Sequence, residues 1–254
     1  MVAWPGDDLS PGFFCFRDNV MKTVAIILAG GVGKRMGNGL PKQYLPLAGI
    51  PIIVRTLQVF QRSQVVDEIF LVVPEDDIPE VRQEIVVGYG LSKVGFIIPG
   101  GTERQDSVRN ALQHVSDEYG IVVVHDGVRP FVSGDLISRV VQAAREFGAI
   151  TVGVPVRDTL KEVTADGWVG KTVTREGLWL TQTPQAFRRP VIIAAYEKAG
   201  VEGFYCTDDA SLVERMGISV RMIPGNCDNI KVTTPDDLLL GDLIVRRCSD
   251  KTEN

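Results

Sequence analysis

Five runs of apolar residues recur along the chain and indicate buried β-strands. The runs are rich in valine or isoleucine and lack the strict alternation of a strand that is buried on one face only. Continuous apolar runs of about four to eight residues are typical of strands covered on both faces. The predicted strands are TVAIIL (23–28), EIFLVV (68–73), VGFII (94–98), IVVVH (121–125) and AITVGVPV (149–156).

Segments with a helical spacing of apolar residues separate these strands, over residues 51–61, 78–86, 105–114 and 135–147. Ser133 is placed to cap the last of them, and Gly148 to end it. This alternation predicts an α/β fold with a doubly wound, mostly parallel but mixed sheet of Rossmann-like type. In such a fold the ligand crevice lies at the carboxyl ends of the strands.

The sequence VTTPDDLLLGDLIVRR near the end of the chain predicts a closing helix. Thr234 suits its N-cap and Pro235 its first position, with acidic residues in the first turn and arginines in the last.

The segment 157–181 interrupts the alternation of strands and helices. Within it, KEVTADGWVGKTVT has the pattern of two short strands around an Asp166-Gly167 turn. A two-stranded hairpin without its own core is only marginally stable. We therefore predict an inserted β-hairpin arm that packs against another surface, such as a second subunit.

Composition and charge narrow the class of protein. Of the 254 residues, 44% are hydrophobic and 23% charged, which is ordinary for a globular chain. No apolar run approaches the roughly 20 residues that span a bilayer, so we expect a soluble, cytoplasmic protein with no membrane partner. A net charge of −5 argues against nucleic acid as a partner.

The first 20 residues and the cysteines agree with this location. Residues 1–20 lack the basic opening and long apolar core of a signal peptide. We predict a disordered N-terminal extension over 1–20 and one domain over 21–250. The four cysteines form no C-x-x-C pair, which favours reduced thiols.

The stretch ILAGGVGKRMG follows the first predicted strand and combines four glycines with a Lys-Arg pair. A phosphate-binding P-loop requires Ser or Thr where Arg35 stands, and Met36 breaks the G-x-G-x-x-G dinucleotide fingerprint counted from Gly31. A variant fingerprint through Gly31, Gly33 and Gly37 keeps a nicotinamide oxidoreductase as an alternative.

The remaining interpretation is a loop whose backbone N–H groups bind an anion, reinforced by Lys34, Arg35 and Lys42. A flexible turn with solvated charges is the simpler alternative.

Eight motifs in sequence order carry a resemblance to a known family. They are AGGVGKRMG (29–37), PKQYLPL (41–47), GGTERQDSV (100–108), HDGVRP (125–130), PVRDTLK (155–161), TREGLWLTQTPQAF (174–187), TDDAS (207–211) and DNIKVTTPDDL (228–238). From about Met21 to Arg246 the chain resembles the 2-C-methyl-D-erythritol 4-phosphate cytidylyltransferases. The resemblance implies a nucleotidyltransferase Rossmann-like fold, a cytidylyl transfer from CTP to a polyol phosphate with release of pyrophosphate, a Mg²⁺ or other divalent cofactor, and a homodimer formed through the β-arm.

The resemblance also implies roles for individual residues. Arg35 and Lys42 match the residues that stabilise the transition state. The substrate-binding positions are Asp126, Arg129, Thr159, Arg175 and Lys231, of which Thr159 and Arg175 come from the partner's arm. The nucleotide-binding positions are Ala29, Gly30, Gly31, Val32, Gly33, Lys34, Gly101, Thr102 and Ser107. Asp126, at a strand end, is our candidate magnesium ligand, with Asp228 as a second candidate.

The expected chemistry needs no general base, because the second pKa of a phosphate monoester, near about 6, leaves it largely dianionic at neutral pH. The chain has only two histidines, and we interpret His125 as an orienting residue at a strand end. Three alternatives remain: a ribitol 5-phosphate cytidylyltransferase, which shares the glycine loop and the PKQ and TPQ motifs, an NADP-dependent oxidoreductase, and a catalytically silent nucleotide-binding regulator.

Overall fold

The computed structural model describes residues 21–31 and 41–250, with side chains up to residue 247. Its strands are β1 (Lys22–Leu28), β2 (Pro46–Leu47), β3 (Ile50–Pro51), β4 (Glu68–Val73), β5 (Val94–Pro99), β6 (Tyr119–Asp126), β7 (Ala149–Pro155), β8 (Leu160–Val163), β9 (Val169–Val173), β10 (Trp179–Arg188) and β11 (Arg221–Pro224). Its helices are α1 (Ile52–Arg62), α2 (Ile78–Glu80), α3 (Arg104–Leu112), α4 (Gly134–Phe147), α5 (Arg189–Glu202), α6 (Asp209–Arg215) and α7 (Pro235–Asp250). Short 3-10 turns cover Lys42–Tyr44 and Glu75–Asp77.

One seven-stranded sheet organises the domain, in the order β11-β7-β10-β6-β1-β4-β5. Strand β10 runs antiparallel to both of its neighbours, and the other pairs are parallel. The predicted doubly wound, mixed sheet is therefore confirmed, and all five predicted strands lie in it.

The sheet is covered on both faces because its central strands are apolar at successive positions. In β1, Ala25 and Ile27 belong to one hydrophobic cluster, whereas Val24 and Ile26 belong to a second cluster on the opposite face. Burial of this kind supplies most of the driving force for folding.

Strand β5 differs from the prediction of burial on both faces. It pairs only with β4 at the edge of the sheet, and 43% of the Phe96 side chain is exposed. An apolar run alone does not distinguish an edge strand from a central one.

The helix ends follow the predicted caps. The Ser133 hydroxyl accepts the Leu136 N–H at 3.1 Å, and Gly148 ends α4 with a φ of 88°. At the closing helix α7, the Thr234 hydroxyl accepts the Asp237 N–H at 3.3 Å. The helix predicted over 78–86 is present, but it continues from α2 as π-helix through Val81–Val87.

The predicted arm is a separate two-stranded antiparallel sheet of β8 and β9. Its tip is apolar and exposed: the exposed fractions are 76% for Trp168, 59% for Val169 and 54% for Val163. Elsewhere, within the described helices, none combines the length and apolar character needed to span a membrane.

Candidate active site

The candidate site lies at the carboxyl ends of β1, β5 and β6, where the parallel strands of the sheet bring their following loops together. Two clefts open there. Arg104, Asp126 and Lys231 line both of them and so form a shared wall.

The first cleft, which we call the glycine cleft, has a volume of about 460 Å³. It brings together backbone from the loops after β1 and β5 with charged side chains from other segments. Its lining residues are Leu28, Ala29, Gly30, Gly31, Lys42, Gln43, Gly101, Thr102, Glu103, Arg104, Ser107, Asp126, Val128 and Lys231.

The loop between β5 and α3 is held in a defined conformation at the glycine cleft. The Ser107 hydroxyl accepts the Gly101 N–H at 3.0 Å and donates to the Glu103 carbonyl at 3.2 Å. Glu103 and Asp106 form a capping box at the start of α3. A Cβ at Gly101 would lie 2.3 Å from the Asp106 Cβ, so only glycine fits there without movement. At Gly101 the loop therefore approaches the cleft as bare main chain, beside the lining residues Thr102 and Ser107.

The second cleft, which we call the threonine cleft, has a volume of about 480 Å³ and a polar lining. It lies between β10, the start of α6 and the shared wall. Its lining residues are Arg104, Asp126, Arg129, Thr151, Thr181, Gln182, Thr183, Gln185, Thr207, Asp208, Ala210, Ser211, Glu214, Met222 and Lys231.

Asp126 ends β6 and is the electrostatic centre of the shared wall. Its carboxylate lies 3.0 Å from Lys231 Nζ, 3.3 Å from Arg129 Nε and 3.5 Å from Arg104 Nε. Burial alone would raise the pKa of this carboxyl group, but the charges of Lys231, Arg104 and Arg129 hold the pKa well below its ordinary value. Asp126 is therefore an anion throughout the physiological range.

His125, directly before Asp126, is fully buried and contacts residues next to the shared wall. Its Nε2 lies 3.1 Å from the Arg129 carbonyl, which can only accept, so this nitrogen carries the proton. Nδ1 then accepts the Thr183 hydroxyl at 3.0 Å, and that hydroxyl in turn accepts the Asp126 N–H at 3.0 Å. The histidine orients Thr183 at the edge of the threonine cleft.

The structure brings most of the described candidate residues together. Those at the glycine cleft are Ala29, Gly30, Gly31, Lys42, Gly101, Thr102 and Ser107; Arg129 lines the threonine cleft, and Asp126 and Lys231 line both. Val32, Gly33, Lys34 and Arg35 lie outside the described residues.

Three candidates lie away from the two clefts. Arg175 is exposed on the arm, where its guanidinium donates to the Arg157 carbonyl, and Thr159 is exposed at the base of the arm. Asp228 pairs with Arg247 at 2.5 Å. None of the three is among the residues that line either cleft in the described part of one chain.

Sequence reasoning did not single out several residues of the wall and of the threonine cleft. Arg104, Thr183, Gln185 and Asp209 all lie within the eight motifs. The resemblance assigns roles to other positions of the first two motifs concerned, and to no position of TDDAS (207–211). The signal was present in β10: Gln182, Thr183 and Gln185 are polar residues buried in a central strand. Buried polar side chains in such a position require partners or a ligand.

Potential metal ligands are sparse in the described residues. No group of three or more His, Cys, Asp or Glu side chains among them is arranged to hold a metal ion. Asp126 contributes one carboxylate at the opening between the clefts. This donor set fits an ion such as Mg²⁺, which binds through one or two carboxylates and takes its other ligands from substrate phosphates and water.

Comparison with known proteins agrees with this geometry. The sequence model of the family IspD, 2-C-methyl-D-erythritol 4-phosphate cytidylyltransferase, matches residues 23–247. The chain is 51% identical over 226 residues to the 2-C-methyl-D-erythritol 4-phosphate cytidylyltransferase of Syntrophus aciditrophicus (strain SB), covering 89% of this chain and 97% of the relative. It is 50% identical over 229 residues to the enzyme of the same description from Geobacter metallireducens, covering 89% and 98%.

Solved structures show the same architecture. The 4-diphosphocytidyl-2C-methyl-D-erythritol synthase of Anaerococcus prevotii superposes with a TM-score of 0.78 at 31% identity, covering 89% of this chain and 97% of that one. The 2-C-methyl-D-erythritol 4-phosphate cytidylyltransferase of Thermus thermophilus gives 0.74 at 33% identity, covering 87% and 98%. The ordered motifs, the two clefts and these similarities together show that the chain belongs to the IspD family of 2-C-methyl-D-erythritol 4-phosphate cytidylyltransferases.

Proposed function

We propose that the protein transfers the cytidylyl group of CTP to 2-C-methyl-D-erythritol 4-phosphate, giving 4-diphosphocytidyl-2-C-methyl-D-erythritol and pyrophosphate for non-mevalonate isoprenoid synthesis. The observation that carries the proposal is the shared wall. It places Lys231, Arg104 and Asp126 between a cleft lined by glycine-rich backbone and a cleft lined by hydroxyl and amide groups. Two substrates that bind in these clefts meet at the wall.

CTP binds in the glycine cleft in this proposal. The loop with Gly101, Thr102 and Ser107 presents backbone groups to the cytosine, and the loop from Ala29 to Lys34 binds the triphosphate. Backbone N–H groups in glycine-rich loops suit anions because no Cβ blocks a close approach. The described part of the two loops lines one cleft, which supports this assignment.

The polyol phosphate binds in the threonine cleft. Lys231 is suited to its phosphate, since the side chain is 41% exposed and carries a mobile ammonium group. Asp126 and Arg129 are suited to its hydroxyl groups, as one accepts and the other donates hydrogen bonds.

The chemical problem is the approach of one anion to another. The phosphate monoester attacks the α-phosphorus of CTP, a new P–O bond forms, and the bond to the leaving pyrophosphate breaks. Negative charge builds up on the equatorial and leaving oxygens, so preorganised cations lower the barrier. We propose that Lys42 and Arg35 supply this charge and that Lys231 aligns the attacking phosphate.

Mg²⁺, held by Asp126 and by the triphosphate, would neutralise charge on the phosphates when bound. Asp228 is the second candidate ligand, and its pairing with Arg247 would have to open for that role.

The position of the arm residues supports a homodimer. Thr159 and Arg175 do not line either cleft within one chain, and the arm exposes a large apolar tip. We propose that the arm of each subunit reaches the active site of its partner and supplies these two residues there.

Pyrophosphate release tests the function directly. The purified protein is assayed with Mg²⁺ and each of the four nucleoside triphosphates, with either 2-C-methyl-D-erythritol 4-phosphate or ribitol 5-phosphate as acceptor. We expect turnover with CTP and the methylerythritol substrate. A preference for ribitol 5-phosphate would establish the rival transferase, and tight NADPH binding without pyrophosphate release would establish an oxidoreductase instead.

Substitution of Lys42 tests the proposed mechanism. Lys42→Met removes one charge from the glycine cleft, so kcat should fall at least about a hundredfold, the usual cost of one transition-state contact. Binding of CTP, measured by calorimetry, should stay within about tenfold, since the loops that hold the nucleotide remain. Lys198→Met, on the exposed side of α5, is the matched control and should leave both values unchanged. An equal loss of binding and turnover would assign Lys42 to binding alone.

A further inference from the structure

Arg104 connects the shared wall to the protein interior. It is the first residue of α3, directly after the loop that lines the glycine cleft. Its Nε lies 3.5 Å from Asp126 Oδ1, and its Nη2 donates to Asp209 Oδ2 at 2.7 Å. One guanidinium therefore links a carboxylate at the opening of the clefts with a second carboxylate behind it.

Asp209 is a buried anion that the proposed reaction does not use. Its side chain is completely buried at the start of α6. Tyr196 of α5 donates its hydroxyl to Asp209 Oδ1, and burial followed by the charge of Asp209 raises the pKa of that hydroxyl well above its ordinary value. The Asp209 N–H donates to Gln185 Oε1 at 3.1 Å. Tyr196 of α5 and Arg104 of α3 thus each hold one oxygen of the carboxylate, and Gln185 of β10 holds the backbone of the same residue.

A buried charge is costly unless it is paired and hydrogen-bonded. The Asp209 carboxylate meets this requirement, because it pairs with Arg104 and accepts the Tyr196 hydroxyl. The planar guanidinium of Arg104 has donors in a rigid fork, and fixing one side of the fork also fixes the direction of the other. Asp209 therefore fixes the direction of the Arg104 guanidinium, whose Nε faces Asp126 Oδ1. Lys231 and Arg129 pair with the other oxygen, Oδ2, so Arg104 is the cation at Oδ1.

We infer that Asp209 and Arg104 are positioning residues of the reaction, which hold the Asp126 carboxylate in its reactive orientation from inside the protein. The inference rests on the proposed function. It extends that function from the cleft surface to a series of contacting side chains that runs from Tyr196 through Asp209 and Arg104 to Asp126. Neither Asp209 nor Tyr196 lines the glycine or the threonine cleft, so both would act through Arg104.

The test is a double-mutant cycle on kcat with Asp209→Asn and Arg104→Met. Asp209→Asn keeps the shape but removes the charge that orients Arg104. We expect kcat to fall about tenfold to a hundredfold, as small displacements of reacting groups commonly cause. The KM for CTP should stay within about threefold, because the backbone of the glycine cleft is untouched. In the Arg104→Met background, Asp209→Asn should cause little further loss, since its effect passes through Arg104.

Glu202→Gln is the matched control, because it removes the charge of a carboxylate that pairs with Arg215 at 2.8 Å on the protein surface. It should leave kcat unchanged. Tyr196→Phe is the milder variant if Asp209→Asn fails to fold, and it should lower kcat by about threefold or more through the same Arg104 contact.

Wild-type kcat in the folded Asp209→Asn or Tyr196→Phe protein would overturn the inference, and so would losses that multiply fully in the double variant. Pyrophosphate release by the wild-type protein separates the two levels of the proposal. An inactive wild type would refute the proposed function, whereas an active wild type with an unaffected Asp209→Asn variant would refute the positioning role alone.

Discussion

At the scale of single residues, the buried histidine beside Asp126 shows how a side chain serves the site without taking part in the reaction. Burial lowers the pKa of the His125 imidazole to about 4, because the protein interior disfavours the cation. The neutral ring matches the hydrogen bonds to Arg129 and Thr183, which require one donor and one acceptor. His125 is therefore an orienting residue, in agreement with its interpretation from the sequence.

The pKa of His125 predicts a specific loss of stability in mild acid. In the unfolded chain histidine titrates near about 6.5, so between there and pH 4 the unfolded state binds more protons than the folded state. The free energy of unfolding must therefore decrease as the pH is lowered through this window. The contribution of this group is roughly 2 kcal/mol between pH 7 and pH 5. Urea unfolding at both pH values should show a smaller fall for His125→Gln than for the wild type.

His114→Gln is the matched control for this measurement. This variant replaces the other histidine of the chain, whose ring is exposed, and so reports any change that follows from a His→Gln substitution in general. If His125→Gln loses as much stability as the wild type between the two pH values, another group causes the loss.

Some site residues could be predicted from the motif in which they stand. Residues whose role depends on a partner far away in the sequence could not. Lys42, Asp126 and Lys231 were selected by motif and do meet at the clefts. Arg104 and Asp209 were not selected, because their pairing joins segments 105 positions apart and no local pattern encodes it.

At the scale of elements, the sequence predicts a helix end correctly where interactions between neighbouring residues determine that end. The cap of α4 is an example, since the Ser133 hydroxyl satisfies an N–H that has no partner within the helix. Strand β10 is the opposite case. Its buried Gln182, Thr183 and Gln185 break the apolar run that would have revealed a central strand, because here the sheet serves the cleft as well as the core.

The α4 cap gives a stability prediction. Ser133→Ala leaves the Leu136 N–H without its acceptor and should lower the free energy of unfolding by about 1 kcal/mol. Ser138→Ala is the matched control, because that hydroxyl only donates to the Gly134 carbonyl on the exposed side of the same helix. Alanine is the better helix former there, so the change should be within about 0.5 kcal/mol. Equal losses in urea unfolding would show that the cap contributes nothing specific.

At the scale of the whole molecule, the arm is the feature that the fold of one chain leaves unexplained. A hairpin with little core of its own carries Arg175, which matches a substrate-binding position, yet within one chain it lines neither cleft. The sequence predicted the hairpin from its turn and its strand pattern. The hairpin pattern alone did not indicate which surface the arm packs against. The resemblance implies the active site of a partner subunit, and that placement stays a prediction.

Complementation between two inactive variants tests the proposed exchange of arms. Lys42→Met disables the cleft of a subunit, and Arg175→Ala disables its arm. In a heterodimer of the two, one site combines the intact cleft of the Arg175→Ala subunit with the intact arm of the Lys42→Met subunit. If arms serve the partner's cleft, the heterodimer purified through two different tags should regain about half of the wild-type turnover per dimer, because one of its two symmetric sites is complete.

The reciprocal control pairs a wild-type subunit with a subunit that carries both substitutions. Exchange of arms leaves both of its sites incomplete and therefore inactive. Arms that serve their own subunit would reverse the two results, with an inactive first heterodimer and a half-active second one, and would refute the proposed exchange of arms.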